Sequence, residues 1–299
     1  MALVLGFSLA ALVLKDSLAE SEIEKKKREC AQHARPEVEQ ERKRAEQKAE
    51  QTLDKEAIAA VEETTKAVKA IAEIKKDEAL ATIERAIGKI NVLLARNPAT
   101  ALIPVSTAVE VIEGAPLDLK TIRARAKTAE DAVEDKDYPT ARVLLDGLTS
   151  EIRVRTSHLP LATYPTALKE AARLVDQNKS TEARNVLLTA LHTLVEIDHV
   201  TPLPIALAQA AINEAQALRD KDKAKARQLL ALARNELNRA KELGYAGKDP
   251  TYSAIDKSIA NIEKQLRGTE DTASTFAKLK ESVSNFFNKF SDTRRPARV

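Results

Sequence analysis

Three residues past the middle of the chain have the types and spacing to bind a metal: His192, Glu196 and His199. On one continuous helix, offsets of four and seven would place all three on one face. Two imidazoles and a carboxylate could then ligate Zn²⁺ and leave the fourth position to water. A plainer reading competes. His199 lies three residues before Pro202, where a helix is expected to end and an imidazolium would meet the negative end of the helix dipole. His158 stands in a comparable place before Pro160. Capping or interface hydrogen bonds explain these histidines more simply than a metal does.

No other group of residues offers chemistry. The seven glycines are scattered, with no Gly-rich phosphate loop and no Walker lysine. No nucleophile has a recognisable base partner. The sequence therefore points to no catalytic residue, no cofactor and no enzyme. The 48 basic and 45 acidic residues interleave to a net charge of +3, and aromatics make up only 3%. A nucleic-acid binder would concentrate its basic residues and offer stacking rings, so no nucleic-acid partner is expected.

The elements that position side chains are easier to read. Leu207–Gly244 reads as two helices and a charged turn. Leu207, Ala211, Ala215 and Leu218 form one apolar stripe; Ala226, Leu229, Leu230, Ala233, Leu237 and Ala240 form a second. Gly244 stands where a left-handed cap would sit. Each helix is too short to be stable alone, so the stripes must pair as an antiparallel hairpin.

The hairpin occurs four times. With the turn-flanking alanines Ala79, Ala141, Ala183 and Ala226 as origins, a large apolar residue stands eight positions before each: Ile71, Val133, Val175 and Leu218. Another stands four positions after: Ile83, Leu145, Leu187 and Leu230. Nineteen positions after the first three come Pro98, Pro160 and Pro202, read as helix stops. Spacings of 62, 42 and 43 between origins differ from the 34-residue tetratricopeptide period, although the turns resemble that fold, the runner-up. The fold class expected is all-α, with antiparallel helical hairpins in a repeat-like bundle. One stretch, 99–116, departs from helical patterning and predicts a short extended or β segment near 101–113. Its insertion explains the long first spacing. The second hairpin is expected over about Asp118–Ser157 and the third over Thr166–His199.

The ends differ from the middle. Residues 1–19 read as a signal peptide with small Ser17 and Ala19 before the cut, which makes the mature protein periplasmic. Residues 20–56 form a charged helical or disordered arm holding the lone Cys30, read as an incidental exposed thiol. Residues 57–244 are the hairpin domain. Residues 245–299 are a helical extension opened by Asp249-Pro250 and closed by a polar disordered tail. In that extension Phe276, Leu279, Val283, Phe286, Phe287 and Phe290 make one amphipathic face. It would either pack back on the bundle or serve as a client, oligomer or membrane surface.

LLARNPATALIPV, KDYPTARVLL, STEARNVLLTAL and VEIDHVTPLPIALAQA carry a resemblance to the YfdX family of enterobacterial stress proteins. Over about 57–244 the chain is most similar to the longer members of heat-resistance genomic islands. The resemblance implies a mostly helical, oligomeric periplasmic protein with chaperone-like activity, and it transfers no catalytic residue. The function expected is non-enzymatic stress resistance through helical surfaces, with homo-oligomers and unfolded client proteins as partners. The alternative is a helical-repeat scaffold that takes one specific partner or small amphipathic ligand. Membrane contact is expected only through the leader or the C-terminal amphipathic helix.

Overall fold

The computed structural model describes residues 35–245, 249–268, 271–290 and 293–296. The signal-peptide reading of 1–19, Cys30 and the side chain of Phe290 lie outside what is described. The chain runs α1 (Arg35–Glu50), α2 (Lys55–Ala72), α3 (Lys76–Arg96), β1 (Leu102–Glu113), α4 (Leu119–Glu134), α5 (Tyr138–Asp146) and β2 (Ser150–Pro160). It continues with α6 (Tyr164–Asp176), α7 (Ser180–His192), β3 (Val195–Pro202), α8 (Leu203–Leu218), α9 (Lys223–Glu242), α10 (Pro250–Gln265), α11 (Ala273–Phe290) and β4 (Thr293–Pro296). It is mostly helical, with the expected extended segment realised as β1.

The chain divides into two compact units. Among the described residues, one takes Arg42–Val111, Ile152–Val200 and 293–296; the other takes 35–41, Ile112–Glu151 and the residues from Thr201 to 290.

In the first unit, hairpin α2–α3 packs face to face on hairpin α6–α7, with α2 against α7 and α3 against α6. The stripe residues Ile71, Ile83, Val175 and Leu187 share one core with Ile90, Leu93, Tyr164 and Leu168. Asp54 caps α2 by accepting from the Glu56 and Ala57 N–H groups at 2.8 and 3.1 Å. The first hairpin therefore pairs with the third, not with its successor, which separates this fold from a tetratricopeptide stack.

The turns repeat at the level of single hydrogen bonds. Ile74, Lys136 and Asn178 all lie five positions before their origins and all have left-handed backbone, with φ of 59, 62 and 61°. In each turn the left-handed residue donates to the carbonyl three back. The next N–H donates five back: Lys75 to Ala70 O, Asp137 to Ala132 O, Lys179 to Leu174 O. This is the Schellman pattern. Gly244 (φ 81°) closes α9 with the same pair of bonds, Gly244 N–H to Lys241 O and Tyr245 N–H to Ala240 O.

The four strands lie in the order β1-β2-β3-β4, with β3 and β4 antiparallel. Two of them correct the expected helix lengths. α5 ends at Asp146 and α7 at His192, and β2 and β3 follow where helix was expected to run to Ser157 and His199. Pro160 and Pro202 end strands. Proline interrupts a β ladder as readily as a helix, because it lacks the N–H that either needs, so the stop signal did not identify what it stopped. The tail also differs, since Thr293–Pro296 pairs with Ile197–Val200 in place of the disordered end expected there.

In the second unit, α8 and α9 pair as expected, and all six apolar residues of the α9 stripe are buried. Asp249 caps α10 with Pro250 in the first turn. Ile255, Ile259, Ile262 and Leu266 of α10 join the same core. No helix among the described residues is long and apolar enough to cross a membrane.

Candidate functional site

The structure separates the three residues weighed as candidate metal ligands. His192 ends α7, whereas Glu196 and His199 stand on β3. Their odd spacing sends them to opposite faces of that strand, so the shared helical face does not exist. Glu196 lies 3.7 Å from Arg155. Asp198, between them, accepts a bidentate pair from Arg155 at 2.8 and 3.0 Å. Among the described residues no group of three or more His, Cys, Asp or Glu side chains is placed to hold a metal.

The aromatic face of α11 is also placed differently from a client or oligomer surface. Phe276, Leu279, Val283 and Phe286 are buried in the core of the second unit, where α11 packs on α8 and α10. Phe287 is half-buried against the same core. The Lys289 ammonium donates to Asp249, joining the end of α11 to the cap of α10 and holding the Asp249 carboxyl down at about 2. Of the two readings of this face, packing back is the one realised.

Among the described residues, nothing covers the apolar side of the second hairpin. Only Ile122, Ala129 and Ala132 of α4 and Ala141 of α5 are buried. Val133, Tyr138, Val143 and Leu145 are 47, 61, 72 and 48% exposed. Val133 and Leu145 occupy the stripe positions whose counterparts Ile71, Ile83, Val175 and Leu187 are at most 5% exposed. The sequence pattern is thus kept in this hairpin while its packing is not.

The base of this hairpin is gripped by the end of α9. Arg239 donates to Pro116 O at 3.0 Å, to Ala115 O at 3.1 Å and to Ser150 Oγ at 3.2 Å, tying together the chain entering and leaving the hairpin. Gly114 and Ala115 N–H both donate to Thr149 O, closing the same base. A Cβ on Gly114 would lie 3.1 Å from Asp146 O and 3.2 Å from Thr149 O, so the close approach needs glycine. Tyr245 Oη accepts from Ser150 N–H at 2.9 Å and donates to Glu151, while Arg123 of α4 pairs with Glu242 at 2.7 Å. Glu236 completes the grip by pairing with Arg239, and burial pushes its carboxyl above the ordinary glutamate range despite that cation. Sequence reading missed Glu236 and Arg239 because they flank the apolar stripe; the available signal was an opposite-charge pair at i,i+3 beside Leu237 and Ala240.

Fold and site define a mainly helical protein of antiparallel hairpins with a small sheet, and an exposed apolar hairpin as its candidate working surface. The family model described as YfdX protein matches residues 60–200 of the chain. Among solved structures, YfdX of Salmonella Typhi is similar at 14% identity and a TM-score of 0.35, covering 50% of this chain and 93% of that one. Among curated proteins no relative matches the sequence.

Proposed function

We propose that this protein is a non-enzymatic stress-resistance protein of the periplasm that works through helical surfaces, holding partly unfolded clients or assembling with itself. The observation that supports this reading is the α4–α5 hairpin, which exposes Val133, Tyr138, Val143 and Leu145 from a base fixed by buried polar bonds. An apolar patch held open on a rigid support is what capture of another apolar surface requires. The match of residues 60–200 to the YfdX family model and the leader-like residues 1–19 agree with this role. The test is light scattering of thermally unfolding citrate synthase with and without an equimolar amount of the full chain. Suppressed scattering is expected; scattering unchanged by the protein would overturn the reading.

A further inference from the structure

We propose that the outer edge of β3 is a strand-addition site for an extended basic segment of an unfolded polypeptide, and that β4 is its resident occupant within the chain. The inference deepens the proposed function, and it rests on that reading for the guest being a client.

A sheet edge presents a row of unpaired backbone N–H and C=O groups that an added extended chain can complete. The strand order β1-β2-β3-β4 would leave β3 at an edge without β4. The opposite edge is blunted: Pro104 interrupts β1, and its carbonyl is taken by the Asp54 N–H at 3.1 Å. The edge of β3 is covered by much less. β3 runs eight residues, Val195–Pro202, whereas β4 runs four, Thr293–Pro296. The register pairs Ile197 with Pro296, Asp198 with Arg295, His199 with Arg294 and Val200 with Thr293. Val195 and Glu196, both exposed, lie beyond these pairs. The sequence TRRP brings no large apolar residue to the sheet, and its proline lacks the N–H that would continue the ladder. Backbone pairing and charge therefore hold β4 in place, and a longer strand can offer more of both.

The charges on the sheet define the guest. Asp198 accepts from Arg155 at 2.8 and 3.0 Å and lies 3.7 Å from Arg153. Glu196 lies 3.7 Å from Arg155, and the Glu110 carboxylate acts on the same guanidinium from β1. Three carboxylates thus surround two guanidinium groups, and a further cation is favoured beside them. Opposite charges at directly paired positions attract, and the register places Arg295 at the position opposite Asp198. The resident strand carries the chemistry a guest must have: extended backbone along the edge and a basic residue at the Asp198 position.

The probe is a nonapeptide with the sequence of residues 291–299 in its P296V form, which restores the missing donor. Amide hydrogen exchange on the full chain reads the replacement directly. At about millimolar peptide, the concentration at which a tethered strand meets its own site, exchange at Arg294 and Arg295 of the chain should speed up while Ile197–Val200 stays protected. Unchanged exchange at Arg294 and Arg295 overturns the proposal. Fluorescence anisotropy then compares the full chain with R294P/R295P, which removes an N–H from each alternating set of β4 and so weakens it whichever set faces β3. Circular dichroism shows whether the variant folds; if it does not, the exchange measurement on the full chain decides. The peptide should bind the variant about tenfold or more tighter, because the resident strand no longer competes; equal affinity overturns the proposal. An R295E peptide should bind about fivefold or more weaker, and N-methylation at positions 294 and 295, which keeps every side chain and charge, should abolish binding. A peptide indifferent to either change overturns the proposal. Citrate synthase scattering on the same proteins separates the site from the function. Suppression without peptide binding removes the strand site and leaves the function standing; peptide binding without suppression keeps the strand site and removes the client role.

Discussion

Glu236 and Arg239 stand one turn apart on α9, 3.1 Å from one another, with side chains only 7 and 4% exposed. Among the described residues the carboxylate has this one cation, while the guanidinium also serves Ala115 O, Pro116 O and Ser150 Oγ. The two residues are therefore unequal, and substitutions should reveal it.

Arg239→Met removes the grip on the hairpin base and leaves Glu236 buried without its counter-charge. Breaking a buried pair from one side costs about 3–5 kcal/mol, so a large loss of stability is expected in urea denaturation at pH 7. Glu236→Gln keeps the shape and leaves Arg239 its three oxygen acceptors, so a much smaller loss is expected. Equal losses for the two variants would show that the carbonyl contacts contribute nothing.

The same pair sets a dependence on pH. The folded-state pKa of Glu236 is raised by burial, so its contribution is fully present below the ordinary value of 4.5 and declines as pH rises through the folded value. Asp249 has the opposite sign: its contribution is present above 3.8 and is lost as pH falls through about 2. Mild acid, down to about pH 4, should therefore favour the wild type over Glu236→Gln relative to neutral pH. Urea midpoints of both proteins at pH 4.5 and pH 8 check this, and parallel midpoints would contradict it.

Ile74 is a β-branched residue at φ 59° and 87% exposed, so its side chain strains the turn and packs against little. Left-handed backbone costs an L-residue roughly 1–2 kcal/mol, which glycine avoids at some cost in unfolded-chain entropy. Ile74→Gly should stabilise by about 1 kcal/mol, read as a raised thermal midpoint. Asn178→Gly, at the equivalent position, should change less, because asparagine already tolerates this conformation.

Tyr164 is fully buried in the four-helix core, and its hydroxyl has no partner at hydrogen-bond distance among the described residues. Burial pushes the phenol up to about 12, against a weaker opposite influence from Thr64. Tyr164→Phe should be neutral or stabilising by about 1 kcal/mol. One fewer tyrosine should then titrate near pH 12 by ultraviolet absorbance.

Phe276 and Phe286 are at most 1% exposed. Phe276→Ala should cost about 3–5 kcal/mol, measured by chemical denaturation. A detachable aromatic face would tolerate the change at small cost, so a shift under about 1 kcal/mol would return α11 to the role of a surface.

The repeat itself was legible without coordinates. Apolar residues at fixed offsets from Ala79, Ala141, Ala183 and Ala226 defined the hairpins, Asp249-Pro250 and Tyr138-Pro139 opened their helices, and Gly244 closed α9. Such signals are local, carried by residues within a turn or two of each other. The ends of α5 and α7 were less legible. Val195, Ile197 and Val200 with the preceding Leu187–Leu194 run could serve a helix or a strand, and only pairing with β2 decides between them.

Sequence alone determined where the chain folds back and which face of each helix is apolar, because propensity, capping and periodicity act over a few residues. Tertiary structure decided which apolar face meets which. It joined the first hairpin to the third, enclosed the aromatic face of α11, buried Glu236 with Arg239, and left Val133 and Leu145 outside. Identical stripes carry no label for their partners; pairing depends on residues distant in sequence and on what remains uncovered once the other faces have met.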